Sequence, residues 1–131
     1  MSGLVGDAPV RVLLVDDDEV IARSLCQYLQ TQGCVVDVAP ETDEAVPLME
    51  ANHYDVVMVD PYFTGGLARG SNALIGVVQE LQPDASLIVL TAYSSPALLQ
   101  IAASSHLPLF EKPQSVIALS HIILRAATAT D

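Results

Sequence analysis

Five side chains in this chain have types and positions that could do chemistry together. Asp16 and Asp17 follow the apolar run Val12-Leu-Leu-Val15, Asp60 follows Val56-Val-Met-Val59, Thr91 follows Leu87-Ile-Val-Leu90, and Lys112 comes two residues after Leu107-Pro-Leu-Phe110. Three carboxylates gathered at one place repel one another, and a hard divalent cation among them removes that penalty, so Mg²⁺ is the natural occupant. The Thr91 hydroxyl and the Lys112 ammonium add a hydrogen-bond donor and a positive charge, which are what the oxygens of a transferring phosphoryl group require. Lys112 is the only lysine in the chain and stands directly before Pro113. The chemistry this set supports is phosphoryl transfer onto a carboxylate. Plainer roles compete at single positions: Asp18 reads as a helix cap, and Thr91 alone could cap a turn. His53, His106 and His121 are scattered without ligand spacing and read as ordinary, partly exposed residues.

The elements that must position these residues alternate between strand and helix periodicity. Arg11–Val15 is a continuous apolar run of the kind covered on both faces, and Asp18–Gln32 follows with helical spacing at Val20, Ile21, Leu25 and Leu29 and a capping Gly33. A strand at Cys34–Val38 precedes a helix begun by Pro40 and Glu41 that runs to about Asn52, and Asp55–Val59 is the third strand. Pro61–Gly70, with three glycines and a proline, is a loop. A helix over Asn72–Gln82 is stopped by Pro83, and Ser86–Leu90 is strand four. Pro96 starts a helix reaching Ser104, Leu107–Phe110 is strand five, and Pro113 opens the last helix. Strict alternation with right-handed crossovers gives an α/β domain, an open parallel sheet with helices on both faces. In such sheets ligands bind outside the carboxyl ends of the strands, where Asp16, Asp17, Asp60, Thr91 and Lys112 all fall.

A chain of 131 residues and 13.9 kDa accommodates one domain. Hydrophobic residues make up 51% and charged residues 16%, a balance that folds rather than one that stays disordered. Sixteen acids against five bases leave a net charge of -11, a field that repels nucleic acid and anionic lipid alike. Mean hydropathy is +0.43, yet no apolar run approaches the roughly 18 to 20 residues of a membrane span. Met1–Pro9 lacks a basic segment followed by an apolar stretch, so no secretory signal is read and a cytoplasmic location is expected. Cys26 and Cys34 form no disulfide framework and are expected to be free core thiols.

Taken together, Val12-Leu-Leu-Val-Asp16-Asp17-Asp18, Tyr54-Asp-Val-Val-Met-Val-Asp60, Ile88-Val-Leu-Thr91-Ala92 and Phe110-Glu-Lys112-Pro113 resemble the ordered motifs of response-regulator receiver domains across nearly the whole chain. The resemblance implies a single-domain, doubly wound (βα)5 flavodoxin-like sheet of strand order 2-1-3-4-5, with residues 1–10 an N-terminal extension, 11–127 the receiver and 128–131 a tail. It implies that Asp60 accepts a phosphoryl group from a sensor histidine kinase or a histidine phosphotransfer protein. By the same resemblance Asp17 ligates Mg²⁺ directly, Asp16 acts through water, Tyr62 lends its backbone carbonyl, and Thr91 and Lys112 bind the phosphoryl oxygens. Such a domain is a signalling module rather than an enzyme acting on other molecules.

Two departures stand out. The segment Asp60-Pro-Tyr-Phe-Thr-Gly-Gly-Leu-Ala-Arg-Gly70 is atypical, and Pro61 has no N–H for a phosphoryl contact. Leu109 stands where the family has a switch aromatic, with Phe110 adjacent. Two other readings compete: a receiver-like binding module without phosphorylation, and an aspartate-nucleophile phosphatase of the haloacid-dehalogenase type using Asp16 and Asp18. The phosphatase reading lacks a late acidic pair, because Ala85–Phe110 carries no charge. That uncharged stretch, together with the sparsely charged last helix, predicts a face for homodimerisation or docking of a downstream protein target. The chain ends soon after the last predicted helix, so no output domain is expected within it.

Overall fold

The computed structural model describes residues 4–5, 8–60, 71–92 and 96–129. A short antiparallel ribbon pairs Leu4–Val5 with Ala8–Pro9 ahead of the main sheet. The main sheet has five parallel strands, β1 (Arg11–Val15), β2 (Val35–Ala39), β3 (Val56–Val59), β4 (Ser86–Thr91) and β5 (Leu109–Glu111), in the order β2-β1-β3-β4-β5. This is the expected order 2-1-3-4-5. Among the described residues five helices connect or follow the strands: α1 (Glu19–Thr31), α2 (Thr42–Ala51), α3 (Ser71–Leu81), α4 (Pro96–Ser104) and α5 (Val116–Ala129).

The continuous apolar runs follow from a sheet buried on both faces, because successive strand residues point to opposite sides. Val12, Leu14, Val36, Met58, Ile88 and Leu90 pack with Leu25 and Leu29 of α1 and Leu119 and Ile123 of α5. Their neighbours Leu13, Val15, Val57, Val59 and Val89 pack with Met49 of α2, Ile75 and Val78 of α3 and Leu98 of α4. The three central strands are thus clamped between two apolar layers, which fixes the direction in which their carboxyl ends point. Of the two cysteines, Cys34 is buried, Cys26 is half-buried, and both are free.

Local signals set the boundaries. Asp18 caps α1 by accepting from the Ile21 N–H at 3.3 Å, and the helix ends with Cys34 N–H donating to Leu29 O and Gly33 N–H to Gln30 O, Gly33 adopting φ 88. Helix α4 closes the same way: Leu107 N–H donates to Ala102 O and His106 N–H to Ala103 O, with His106 at φ 57. That closure consumes Leu107, which corrects the expected strand start: β5 begins at Leu109 and runs to Glu111. The last helix is corrected too. Pro113, joined to Lys112 by a cis bond, does not open it. Ser115 caps it instead, its side-chain oxygen accepting from Ala118 N–H at 3.0 Å and its carbonyl from Leu119 N–H. The expected loop Pro61–Gly70 lies outside the described residues, and Pro61 and Tyr62 with it. No helix among the described residues is long and apolar enough to cross a membrane.

Candidate functional site at the carboxyl edge of the sheet

Asp16 and Asp60 are the first residues beyond the two central strands β1 and β3. Their own N–H groups continue the ladders, Asp16 to Ala39 O at 3.2 Å and Asp60 to Val15 O at 2.9 Å, so the side chains leave the sheet at one level. Thr91 ends β4 and is fully buried, and its carbonyl accepts from the Lys112 N–H at 2.9 Å, which ties the lysine to the same rim. Asp16, Asp60, Thr91 and Lys112 therefore come together as the sequence predicts. Asp17 follows at the surface with an exposed side chain. Tyr62 lies outside the described residues.

The centre of the arrangement is Lys112. Its ammonium lies 2.8 Å from Asp16 Oδ2 and 3.1 Å from Asp60 Oδ2. Asp16 and Asp60 are only 8% and 7% exposed, so these charges pair where water is scarce. Burial pushes the Asp16 carboxyl above its ordinary value, opposed by the bonds from Lys112 and the Asp18 N–H. Burial alone would lower the Lys112 pKa, but hydrogen bonding and charge from Asp16 and Asp60 prevail and raise it, so the ammonium stays charged well beyond neutral pH.

Among the described residues no three acidic, histidine or cysteine side chains form a ready metal cage. The chemistry of the donor set nevertheless fits a hard cation. Mg²⁺ keeps several waters and takes one or two carboxylates plus phosphate oxygens, and Asp16 and Asp60 present two buried carboxylates to one point, which the ammonium marks. Asp18 is engaged as the α1 cap, so the Asp16–Asp18 nucleophile and acid pairing of the phosphatase reading has no support in the geometry.

The sequence reading missed a second polar centre at the other end of the sheet. Gln82 is buried, its Oε1 accepting from Tyr54 N–H at 3.0 Å and its Nε2 donating to Met49 O and Asn52 O at 2.8 and 2.7 Å. The Tyr54 hydroxyl donates to Asp37 Oδ2 at 2.6 Å, and Arg11 donates to Asn52 Oδ1 at 3.1 Å while lying over the Tyr54 ring. Gln82 reads from sequence as no more than a helix end before Pro83, because nothing local shows which backbone groups its amide will meet.

A doubly wound parallel α/β domain of this strand order, with two buried aspartates and one lysine at its switch edge, has the flavodoxin-like fold, whose ligands bind at that edge. The chain is a member of the response regulator receiver domain family, whose family model matches residues 12–123. It is 28% identical over 117 residues to the photosynthetic apparatus regulatory protein RegA of Cereibacter sphaeroides, which covers 86% of this chain and 60% of RegA. The chain thus spans about three fifths of that relative's length. A response regulator receiver domain protein (CheY-like) from Methanospirillum hungatei superposes with TM-score 0.83 at 22% identity over 94% of this chain and 97% of its own, a likeness of fold. A response regulator from Burkholderia pseudomallei, solved with a phosphorylated aspartic acid, calcium ion and citrate, matches at 30% identity and TM-score 0.75 over 92% of this chain and 69% of its own.

Proposed function

We propose that Asp60 is the phosphoacceptor of this receiver domain. The observation that carries the reading is the buried Asp60 carboxylate held 3.1 Å from the only lysine ammonium in the protein, at the end of a central strand. An Asp60 oxygen attacks the phosphorus of a phosphohistidine on a sensor histidine kinase or histidine phosphotransfer protein. An O–P bond forms, the P–N bond breaks, and the electron pair stays on the imidazole nitrogen. Lys112 already stands beside the attacking carboxylate, so its charge is in place when the phosphoryl oxygens arrive, and the Thr91 hydroxyl takes a second of those oxygens. Mg²⁺, held by Asp16, Asp17, Asp60 and the Tyr62 carbonyl, would neutralise the remaining charge on the transferring group. The relationship to a response regulator bearing a phosphorylated aspartic acid supports this assignment.

Incubation with acetyl phosphate and Mg²⁺ should raise the intact mass by one phosphoryl group in wild type and not in Asp60→Asn. Equal labelling of both proteins would remove Asp60 from the role. A receiver-like module without phosphorylation would label in neither.

The signal leaves through α4, β5 and α5 towards a downstream protein or a second copy in the cytoplasm. Leu99 and Ile117 are 49% and 56% exposed there, and Ala85–Phe110 carries no charge. A net charge of -11 repels an acidic partner, and least so where charge is missing. Light scattering with and without a phosphoryl mimic should show association that Gln100→Lys or Ser104→Glu weakens. A monomer in both states, with target binding unaffected by either change, would exclude this face.

A further inference from the structure

A cleft of about 550 Å³ opens between α1 and the end of β2, and of its lining the phosphoryl chemistry uses only Asp16. Its volume is in the range of small-molecule sites, roughly 300 to 1,000 Å³. The walls are Ala22 and the half-buried Cys26 of α1 with Val38 and Pro40 beyond α1, and the anions lining it are Asp16 and Glu19. Among the described residues the cation lining it, Arg23, is 4.0 Å from Glu19 with both side chains largely exposed, a pair that contributes little, and the Lys112 ammonium reaches the same Asp16 from 2.8 Å. Asp16 is different, being the buried anion of the cleft. Among the described residues its carboxylate accepts from the Asp18 N–H and from Lys112, whereas a carboxylate accepts about four hydrogen bonds. An apolar wall ending at a carboxylate, inside a field of net charge -11, selects a cation with an apolar body and rejects an anion of the same shape.

We propose that this cleft binds a primary amine carried on an apolar body, with the ammonium at Asp16 and the body against Ala22, Cys26 and Val38. Because Asp16 also belongs to the proposed metal site, amine and divalent cation compete, and this second statement rests on the phosphoacceptor reading while the first does not.

The test is an NMR titration of the full chain with 2-phenylethylamine, using 2-phenylethanol and phenylacetate as shape-matched controls. Amide shifts should centre on Ala22, Cys26 and Val38, with the amine binding at least about tenfold more tightly than the alcohol and the acid not binding. Val38→Trp, which fills the cleft from an exposed position, should abolish the response, whereas Val35→Trp, on the same strand but outside the cleft, should leave it intact. Asp16→Asn should erase the preference for amine over alcohol. Equal response to all three probes, shifts elsewhere, or full binding by Val38→Trp would overturn the proposal. Asp60→Asn separates the two readings. It removes the acyl phosphate assay entirely yet should still bind the amine, so an unlabelled wild type would count against the phosphoacceptor and not against the cleft.

Discussion

The two ends of the sheet both bury polar groups, and they satisfy them in opposite ways. At the amino end, Gln82, Tyr54, Asn52 and Arg11 exchange hydrogen bonds among fixed partners, three of them made by the Gln82 amide alone. At the carboxyl end two buried carboxylates share a single ammonium. In the first arrangement the Gln82 amide has its hydrogen-bond demands met and can only lose by change, although the buried Arg11 Nε beside it finds no partner among the described residues. The second carries an excess negative charge in a poorly hydrated place, and that excess is what a cation or a phosphoryl group's ligating partners can use. Stability is concentrated at one end of each central strand and reactivity at the other.

The largest expected effect breaks that comparison at its reactive end. Asp60→Asn should abolish labelling completely while shifting folding stability by no more than about 1 kcal/mol, because it removes one of two like charges and leaves the Lys112–Asp16 pair intact. Chemical denaturation beside the mass assay checks both halves. A loss of several kcal/mol would mean that Asp60 is part of the scaffold.

Gln82→Ala is the reciprocal experiment. It strands the Tyr54 N–H and two carbonyls in a buried place, and the expected loss is about 3 kcal/mol. The extent of labelling by acetyl phosphate should stay at the wild-type level at temperatures where the variant is folded. If labelling fell with the protein still folded, the two ends would be coupled through the strands rather than independent.

Lys112→Met sharpens the contrast between them. It leaves Asp16 and Asp60 facing each other without their counter-charge, and should cost about 2 kcal/mol in the absence of divalent cation, a figure reduced from that of a fully buried pair because the lysine keeps some contact with water. Adding Mg²⁺ should recover part of that loss, whereas Gln82→Ala should show no such recovery. Melting curves at two Mg²⁺ concentrations decide it, and an equal response of both variants would contradict the charge argument.

These differences explain which parts of the molecule are legible in the sequence. The strands are legible because burial on both faces demands unbroken apolar runs, and the site is legible because Asp16, Asp60, Thr91 and Lys112 must follow those runs whatever the loops do. Strand order followed from the resemblance, since alternation alone does not say which strand lies beside which. The starts of β5 and α5 are hidden in the sequence for a local reason: His106 takes the left-handed position that glycine usually fills, and Ser115 rather than Pro113 supplies the cap. The amino-end network was not legible at all. Its partners are separated by about thirty residues of sequence, and no periodicity links a glutamine to a backbone amide that far away.

The smallest effect is read at alkaline pH, where both ends titrate in the same direction. Burial first, and then the hydrogen bond to Asp37, raise the Tyr54 phenol above its ordinary value of 10.0. The Lys112 ammonium is raised above 10.5 by its two carboxylates in spite of burial. In each case the folded protein holds a proton that the unfolded chain has already released, so stability is intact below the unfolded value and declines as pH climbs from there towards the folded one. The Cys26 and Cys34 thiols, raised from 9.0 chiefly by burial, add a decline of the same sign that begins earlier. Tyr54→Phe should therefore cost about 1 kcal/mol at neutral pH, the worth of its bond to Asp37, and show a shallower fall in stability above pH 10 than wild type. Lys112→Met should flatten the same region by a separate increment, since the two groups lie at opposite ends of the sheet, and the double variant should add the two within experimental error. Non-additive flattening would show that the ends of the sheet communicate.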